Sequence, residues 1–247
     1  MLQIFKNVKY NNLEIRHLFF DLDHTLWDFE KNSEICIRQI YEQHLAIFPE
    51  NIGFDAFFQK FSTINSTMWN QLDLSLITHE YLRIFRFQKV LYALDIEIDE
   101  SFSLELNQML LDLLPHQHHL MDDAFDTLEV LVQRGYKMHI ISNGYQDIQI
   151  RKMKSGGIYH FFDQIITNDI AGARKPEKAI FDFALQMANA ILENSIMIGD
   201  NLIADIEGAR NAGLRAIYFN PENDVNDTEN ISELKYLLEI LKGHIIL

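Results

Sequence analysis

The chain has a single cysteine, Cys36, which excludes an internal disulfide. Its neighbours Ile35 and Ile37 place it on an apolar helix face, as a core thiol in a reducing compartment. Proline and glycine are scarce, 4 and 10 in 247 residues, and neither clusters into a linker, a repeat or a low-complexity tract. Positive charge is short too: 21 Lys and Arg stand against 36 Asp and Glu, a formal net charge of −15. So acidic a surface repels polyanions and disfavours nucleic-acid polymers and anionic membranes as partners. A small anionic ligand stays admissible, because local cations or a bound metal reverse the field inside one pocket. No apolar run approaches the length that crosses a bilayer. The opening residues MLQIFKNVKYNN carry no apolar signal-peptide region, so a cytoplasmic location is expected.

What is present is material for a core, with 48% hydrophobic and 12% aromatic residues. Five short apolar runs end in polar tips: residues 18–22, 138–141 before Ser142, 165–167 before Asn168, 196–198 before Gly199 and 216–219 before Asn220. Such runs suit strands buried on both faces of a parallel sheet. Helical patterns lie between them, over 122–134, 146–154, 177–188 (opened by Pro176) and 204–211. The alternation predicts an α/β fold, a doubly wound parallel sheet of Rossmann-like type, whose ligands bind beyond the C-terminal strand ends.

Residues 29–116 differ. Their period is helical throughout, over 30–45, 55–70, 79–94 and 100–114, with no strand-like run. An α-helical cap is therefore expected over 29–116, inserted into a catalytic core made of 1–28 and 117–247. Such an insertion is a natural lid.

Four polar groups fall at four strand tips: Asp21-Leu-Asp23-His-Thr25; Ser142-Asn143-Gly144; Lys175 before Pro176; and Gly199-Asp200, with Asp205 five residues on. Alternate residues of an extended strand face one way, so Asp21 and Asp23 can share a pocket with Asp200 and Asp205. Two carboxylates ~4 Å apart repel by roughly 4 kcal/mol at an effective dielectric of about 20. Such a cluster calls for a cation, and an all-oxygen set suits Mg²⁺ better than zinc. Asp21 can then attack a phosphoryl group, forming an aspartyl phosphate. Asp23 would serve as acid and then base, with a carboxyl raised by burial beside other carboxylates. Lys175, Thr25, Ser142, Asn143 and Gly144 would hold the substrate's phosphate.

At these residues the sequence resembles the haloacid dehalogenase superfamily over nearly its whole length. The resemblance implies Asp21 as nucleophile, Asp23 as acid/base, and Mg²⁺ held by Asp21, the backbone carbonyl of Asp23 and Asp200, with Asp205 in support. The helical insertion is similar to that family's α-helical cap. Within it, the stretch from Asp21 to Phe29 with Asn32-Ser33, the stretch Ser142–Tyr145 with Gln149, and the stretch Gly199–Asp205 look most like the pyrimidine 5′-nucleotidase branch. The implied substrate is a small phosphorylated metabolite, a nucleoside monophosphate such as UMP or dUMP, and the implied assembly a monomer or weak homodimer. His24 stands where relatives often carry Asp or Gly, and residues 1–16 look like an extension. A sugar phosphate or phosphoglycolate is the alternative substrate. A 2-haloacid dehalogenase is disfavoured by Asp23, because departing halide needs no proton; a silent phosphate binder would have no use for Asp21 and Asp23.

The histidines at 116, 118 and 119 read as a polar hinge, with no fourth ligand at metal spacing. Trp27 and Phe29 read as hinge packing or substrate contacts, the aromatic runs 54–61 and 81–92 as cap core, Arg83 and Arg86 as solvated in preference to reaching a second anionic group, and 222–233 as a loop and a helix start.

Overall fold

The computed structural model describes residues 15–222 and 229–241. It divides into two compact units, one running to Asp28 and resuming at His118, the other spanning Phe29–Gln117.

The first unit is built on a wholly parallel six-stranded sheet in the order β3-β2-β1-β4-β5-β6. Its strands are β1 His17–Phe20, β2 Lys137–Ser142, β3 Phe162–Thr167, β4 Ser195–Gly199, β5 Arg215–Phe219 and β6 Asn230–Ile231. Every residue of β1 and β4 is buried. Burial on both faces explains why these strands read as unbroken apolar runs. Phe20 lies level with Ile140 of β2 and Ile198 of β4, so Asp21 emerges beside Gly199, with Ser142 one residue further along β2. From β1 the chain builds one way to β2 and β3 and the other way to β4 and beyond, which makes the β1/β4 boundary the topological switch point.

Helices α5 Ala124–Gln133, α6 Gln146–Ser155, α7 Asn168–Ala171, α8 Lys178–Ala188, α9 Gly208–Asn211 and α10 Leu237–Ile240 belong to the same unit. Phe19, Ile141, Ile166 and Met197 from the sheet pack with Ile180, Phe181 and Ala184 of α8 in one buried cluster. Full burial of a side chain such as Phe181 stabilises by roughly 1.5–3 kcal/mol. Gly135, just beyond the end of α5, sits at φ 81°, a left-handed conformation that glycine adopts at no steric cost.

Several boundaries depart from expectation. β1 stops at Phe20, because the chain turns out of the sheet at Asp21. β3 starts three residues before Ile165, and the short helix α7 follows it. The 204–211 segment is a wide, π-type turn over Leu202–Glu207 followed by α9. The side chain of Asn201 opens that turn by accepting from the backbone N–H groups of Ile203 and Ala204. Of the 222–233 stretch, residues 223–228 lie outside the described residues, and Asn230–Ile231 form β6, a two-residue edge strand too short to show a pattern in sequence.

The second unit holds α1 Phe29–Gln43, α2 Phe54–Asp73, α3 His79–Tyr92 and α4 Glu100–Leu113. Thr78 caps α3 at Tyr81 N, 3.1 Å, and Asp99 caps α4 at Phe102 N, 2.8 Å. Phe57, Phe61, Met68 and Leu72 line the buried face of α2, and Phe61 meets Phe87 of α3 with ring centroids 5.7 Å apart. Arg86 is not solvated as expected: it lies on the buried face of α3 with Leu82 and Val90. Asn107 of α4 is fully buried, and neither amide atom has a hydrogen-bond partner. No described helix is long and apolar enough to cross a membrane.

Candidate active site

Asp21 is the first residue beyond β1, and its N–H still bonds Ile198 O at 2.9 Å, which fixes the backbone at the sheet edge. One carboxylate oxygen lies 2.5 Å from Lys175 Nζ. The same ammonium lies 2.6 Å from Asp205 Oδ1, and Asp205 Oδ2 accepts the N–H of Asn201 at 3.0 Å. Lys175 arrives on the loop before α8, clamped there by Asn143: the asparagine amide donates to Lys175 O, and its oxygen accepts from Lys175 N, both at 2.9 Å. Asn143, expected to bind substrate, thus spends its amide in joining the β2 tip to the lysine loop.

Thr25 is likewise not open to substrate. It is fully buried, and its hydroxyl donates to Asp200 Oδ1 at 2.7 Å, orienting that carboxylate. Between Asp21 and Thr25 the chain makes a tight turn in which His24 adopts φ 64°. That left-handed backbone accounts for the preference for Gly or Asp there, though His tolerates it better than most residues. Trp27 closes the turn, wholly buried, its carbonyl accepting from His24 N at 2.9 Å. Packing, rather than substrate contact, is its role here.

Asp21, Asp200 and Asp205 each offer an oxygen, all within 4.8 Å of one another; among the described residues this is the one such cluster. Burial and the Asp205 and Asp200 carboxylates push Asp21 well above the usual carboxylate range, against the pull of Lys175. Burial, with Asp205, likewise raises Asp200 to about 6, against the pull of His24 and the Thr25 hydroxyl. Two buried carboxylates, Asp21 and Asp205, share one ammonium, and the half-buried Asp200 beside them leaves an excess of negative charge. The donor set, hard and all oxygen, fits a divalent cation of the Mg²⁺ kind. Glycine at 199 is required by this packing, because a Cβ there would overlap the Asp205 carboxylate. The histidines at 118 and 119 stack on each other, ring centroids 4.8 Å apart, and form no such cluster.

Asp23 corrects one expectation. Its carboxylate does not face the acidic cluster but lies 2.7 Å from Lys152 Nζ and 2.8 Å from Gln149 Nε2. Burial alone would raise it; the Lys152 ammonium and the two hydrogen bonds outweigh burial and hold it below its ordinary range. Lys152 is a neighbour of Asp23 that sequence reasoning misses. Its position one helical turn after Gln149 on α6 marks a shared face, but nothing local points that face at Asp23.

Fold and site together define an α/β protein with a cluster of carboxylates around a buried lysine at the tip of its central strand. The chain belongs to the haloacid dehalogenase-like hydrolases, whose family model matches residues 15–213. It is 29% identical to pyrimidine 5′-nucleotidase PynA of Streptococcus pneumoniae over 87% of each chain. It is 31% identical to glyceraldehyde 3-phosphate phosphatase of Pyrococcus furiosus, covering 92% of this chain and 93% of that one. Among solved structures it is similar to the putative HAD-hydrolase YfnB of Bacillus subtilis bound to magnesium, with TM-score 0.82 and 28% identity over 93% and 99% of the two chains.

Proposed function

We propose that this hydrolase is a Mg²⁺-dependent phosphomonoesterase that works through an aspartyl phosphate on Asp21, with pyrimidine nucleoside 5′-monophosphates as preferred substrates. The observation that carries the reading is the Asp21 carboxylate, held 2.5 Å from a buried lysine at the tip of β1 and gathered with Asp200 and Asp205. A carboxylate placed so attacks an electrophile that itself carries negative charge, which is the problem phosphoryl transfer poses.

The residues divide the work. Asp21 Oδ attacks phosphorus, and the bond to the ester oxygen breaks. Lys175, already bridging Asp21 and Asp205, supplies fixed positive charge to the equatorial oxygens. Ser142 donates its hydroxyl to one of them. Asp23 passes a proton to the departing alkoxide and takes one from the water that cleaves the aspartyl phosphate. Its charged form suits the second role directly; for the first it must take up a proton before the ester opens. Asp21, Asp200 and the backbone carbonyl of Asp23 would hold Mg²⁺, with Asp205 supporting, and the ion would offset the charge that carboxylates and phosphate bring together.

The nucleotide preference is supported by the similarity to PynA over most of both chains. A triose phosphate is the second reading, supported by the similarity to the Pyrococcus phosphatase. Phosphate release from UMP, dUMP, dTMP, glyceraldehyde 3-phosphate and p-nitrophenyl phosphate, with Mg²⁺ or EDTA, tests both. The expectation is metal-dependent release, fastest with a pyrimidine nucleotide and cut by at least about 1,000-fold in Asp21→Asn. Release that survives EDTA and Asp21→Asn overturns the mechanism. Turnover of the triose phosphate alone replaces the nucleotide.

A further inference from the structure

We propose that Gln149 and Lys152 are positioning residues that hold the Asp23 carboxylate in one orientation and aim the Ser142 hydroxyl proton at the phosphoryl group. The inference rests on the phosphatase reading and adds to it a part of α6. The two residues stand three apart, on one helix face, and both are buried. Each oxygen of Asp23 has its own donor: Oδ1 takes Lys152 Nζ at 2.7 Å and Oδ2 takes Gln149 Nε2 at 2.8 Å. A carboxylate held at both ends cannot rotate about its last bond without losing one of them. Lys152 is itself fixed, its ammonium 4.5 Å from the centroid of the buried Trp27 ring.

The second N–H of Gln149 reaches Ser142 Oγ at 2.7 Å, and Gly144 N donates to the same oxygen at 3.1 Å. A hydroxyl has two lone pairs and one hydrogen. With both lone pairs engaged, the hydrogen is left to donate outward. Glycine at 144 admits the amide: a Cβ there would lie 2.6 Å from Gln149 Nε2. One glutamine therefore sets both the acid/base and the phosphate donor.

The chemistry separates this role from simple neutralisation of a buried charge. In the first half-reaction the Asp21–phosphorus bond forms, the phosphorus–ester oxygen bond breaks, and Asp23 gives its proton to the leaving oxygen. In the second, water oxygen bonds phosphorus, the Asp21–phosphorus bond breaks, and the water proton passes to Asp23. An alkoxide needs the proton of the first step; p-nitrophenolate does not. A misplaced Asp23 thus slows alkyl esters in both halves and p-nitrophenyl phosphate in the second alone.

The test measures kcat/KM, pre-steady-state release and thermal midpoint for wild type, Lys152→Met, Gln149→Leu and Lys152→Arg. The esters are p-nitrophenyl phosphate and the faster of UMP and glyceraldehyde 3-phosphate. Lys152→Met and Gln149→Leu should lose roughly 100-fold in kcat/KM on the alkyl ester and less than about tenfold on the aryl ester. The aryl ester should show a burst of p-nitrophenolate equal to the enzyme present, then slow turnover. Lys152→Arg, with its donors retained, should recover most of the alkyl activity. Equal losses on both esters without a burst, or no loss at all, overturn the assignment while the phosphatase reading stands. If Lys152→Met does not fold, Gln149→Leu and Lys152→Arg decide by the same criteria. A wild type that releases phosphate from no ester overturns both.

Discussion

Two histidines stacked on adjacent strands make the stability of the core unit sensitive to acid. His17 of β1 and His139 of β2 lie with Nδ1 and Nε2 3.0 Å apart and ring centroids 5.3 Å apart, and Phe19 covers His139 at 4.8 Å. One ring nitrogen must donate and the other accept, so the pair holds only while the accepting ring is neutral. His139 Nδ1 has no partner, which leaves nothing to stabilise a second proton. Burial, reinforced by His17 and Lys137, pushes His139 down from 6.5 to about 3. Burial, with Lys137 and Arg16 acting against Asp163, also lowers His17. A histidine depressed in the folded state leaves the unfolded chain holding more protons between the two values, so stability falls as pH drops below about 6.5 and keeps falling to about 3. At about 1.4 kcal/mol per pH unit, His139 alone removes about 1 kcal/mol at pH 5.5 and about 3 kcal/mol at pH 4.5, relative to pH 7.5. His139→Gln keeps an amide able to bond His17 and cannot titrate. Urea unfolding of both proteins at pH 7.5, 5.5 and 4.5 isolates the effect, because carboxylates common to both cancel in the difference. The wild type should lose about 2–3 kcal/mol more than the variant between pH 7.5 and 4.5. Parallel pH profiles would refute the reasoning.

Two further perturbations test other parts of the molecule. Lys175→Met strands the Asp21 and Asp205 carboxylates without their shared ammonium, so urea unfolding at pH 7.5 should show a loss of about 3–5 kcal/mol. A loss below about 1 kcal/mol would mean that the lysine is not their counter-ion. Asn107→Leu, close in volume, removes two buried amide atoms that have no partner and should leave stability unchanged or higher by about 1 kcal/mol. A loss above about 2 kcal/mol would show that the amide has a hydrogen-bonded partner.

Much of the framework is legible in the amino-acid sequence, for a local reason. A strand buried on both faces has to be apolar throughout, so residues 18–20, 138–141 and 196–198 stand out, and the polar tips that follow them carry Asp21, Ser142 and Asp200. The helical period of α1–α4 is equally plain, because each packs one apolar stripe. Short or distorted elements leave no such mark: β6 has two residues, and the wide turn at Leu202–Glu207 follows from Asn201 binding backbone N–H groups, which no period records.

The sequence by itself determined the parallel α/β core, the helical insertion and the candidate nucleophile, because patterning and spacing are properties of neighbouring residues. Tertiary structure alone decided how the polar residues divide their work. Thr25 turned to Asp200, Asn143 to the backbone of Lys175, and Asp23 to Gln149 and Lys152 rather than to the other carboxylates. These partners lie 32 to 175 residues apart in the chain. A buried carboxylate settles where donors satisfy it at the least cost in desolvation, and which donors reach it is known only once strands and helices have been assembled.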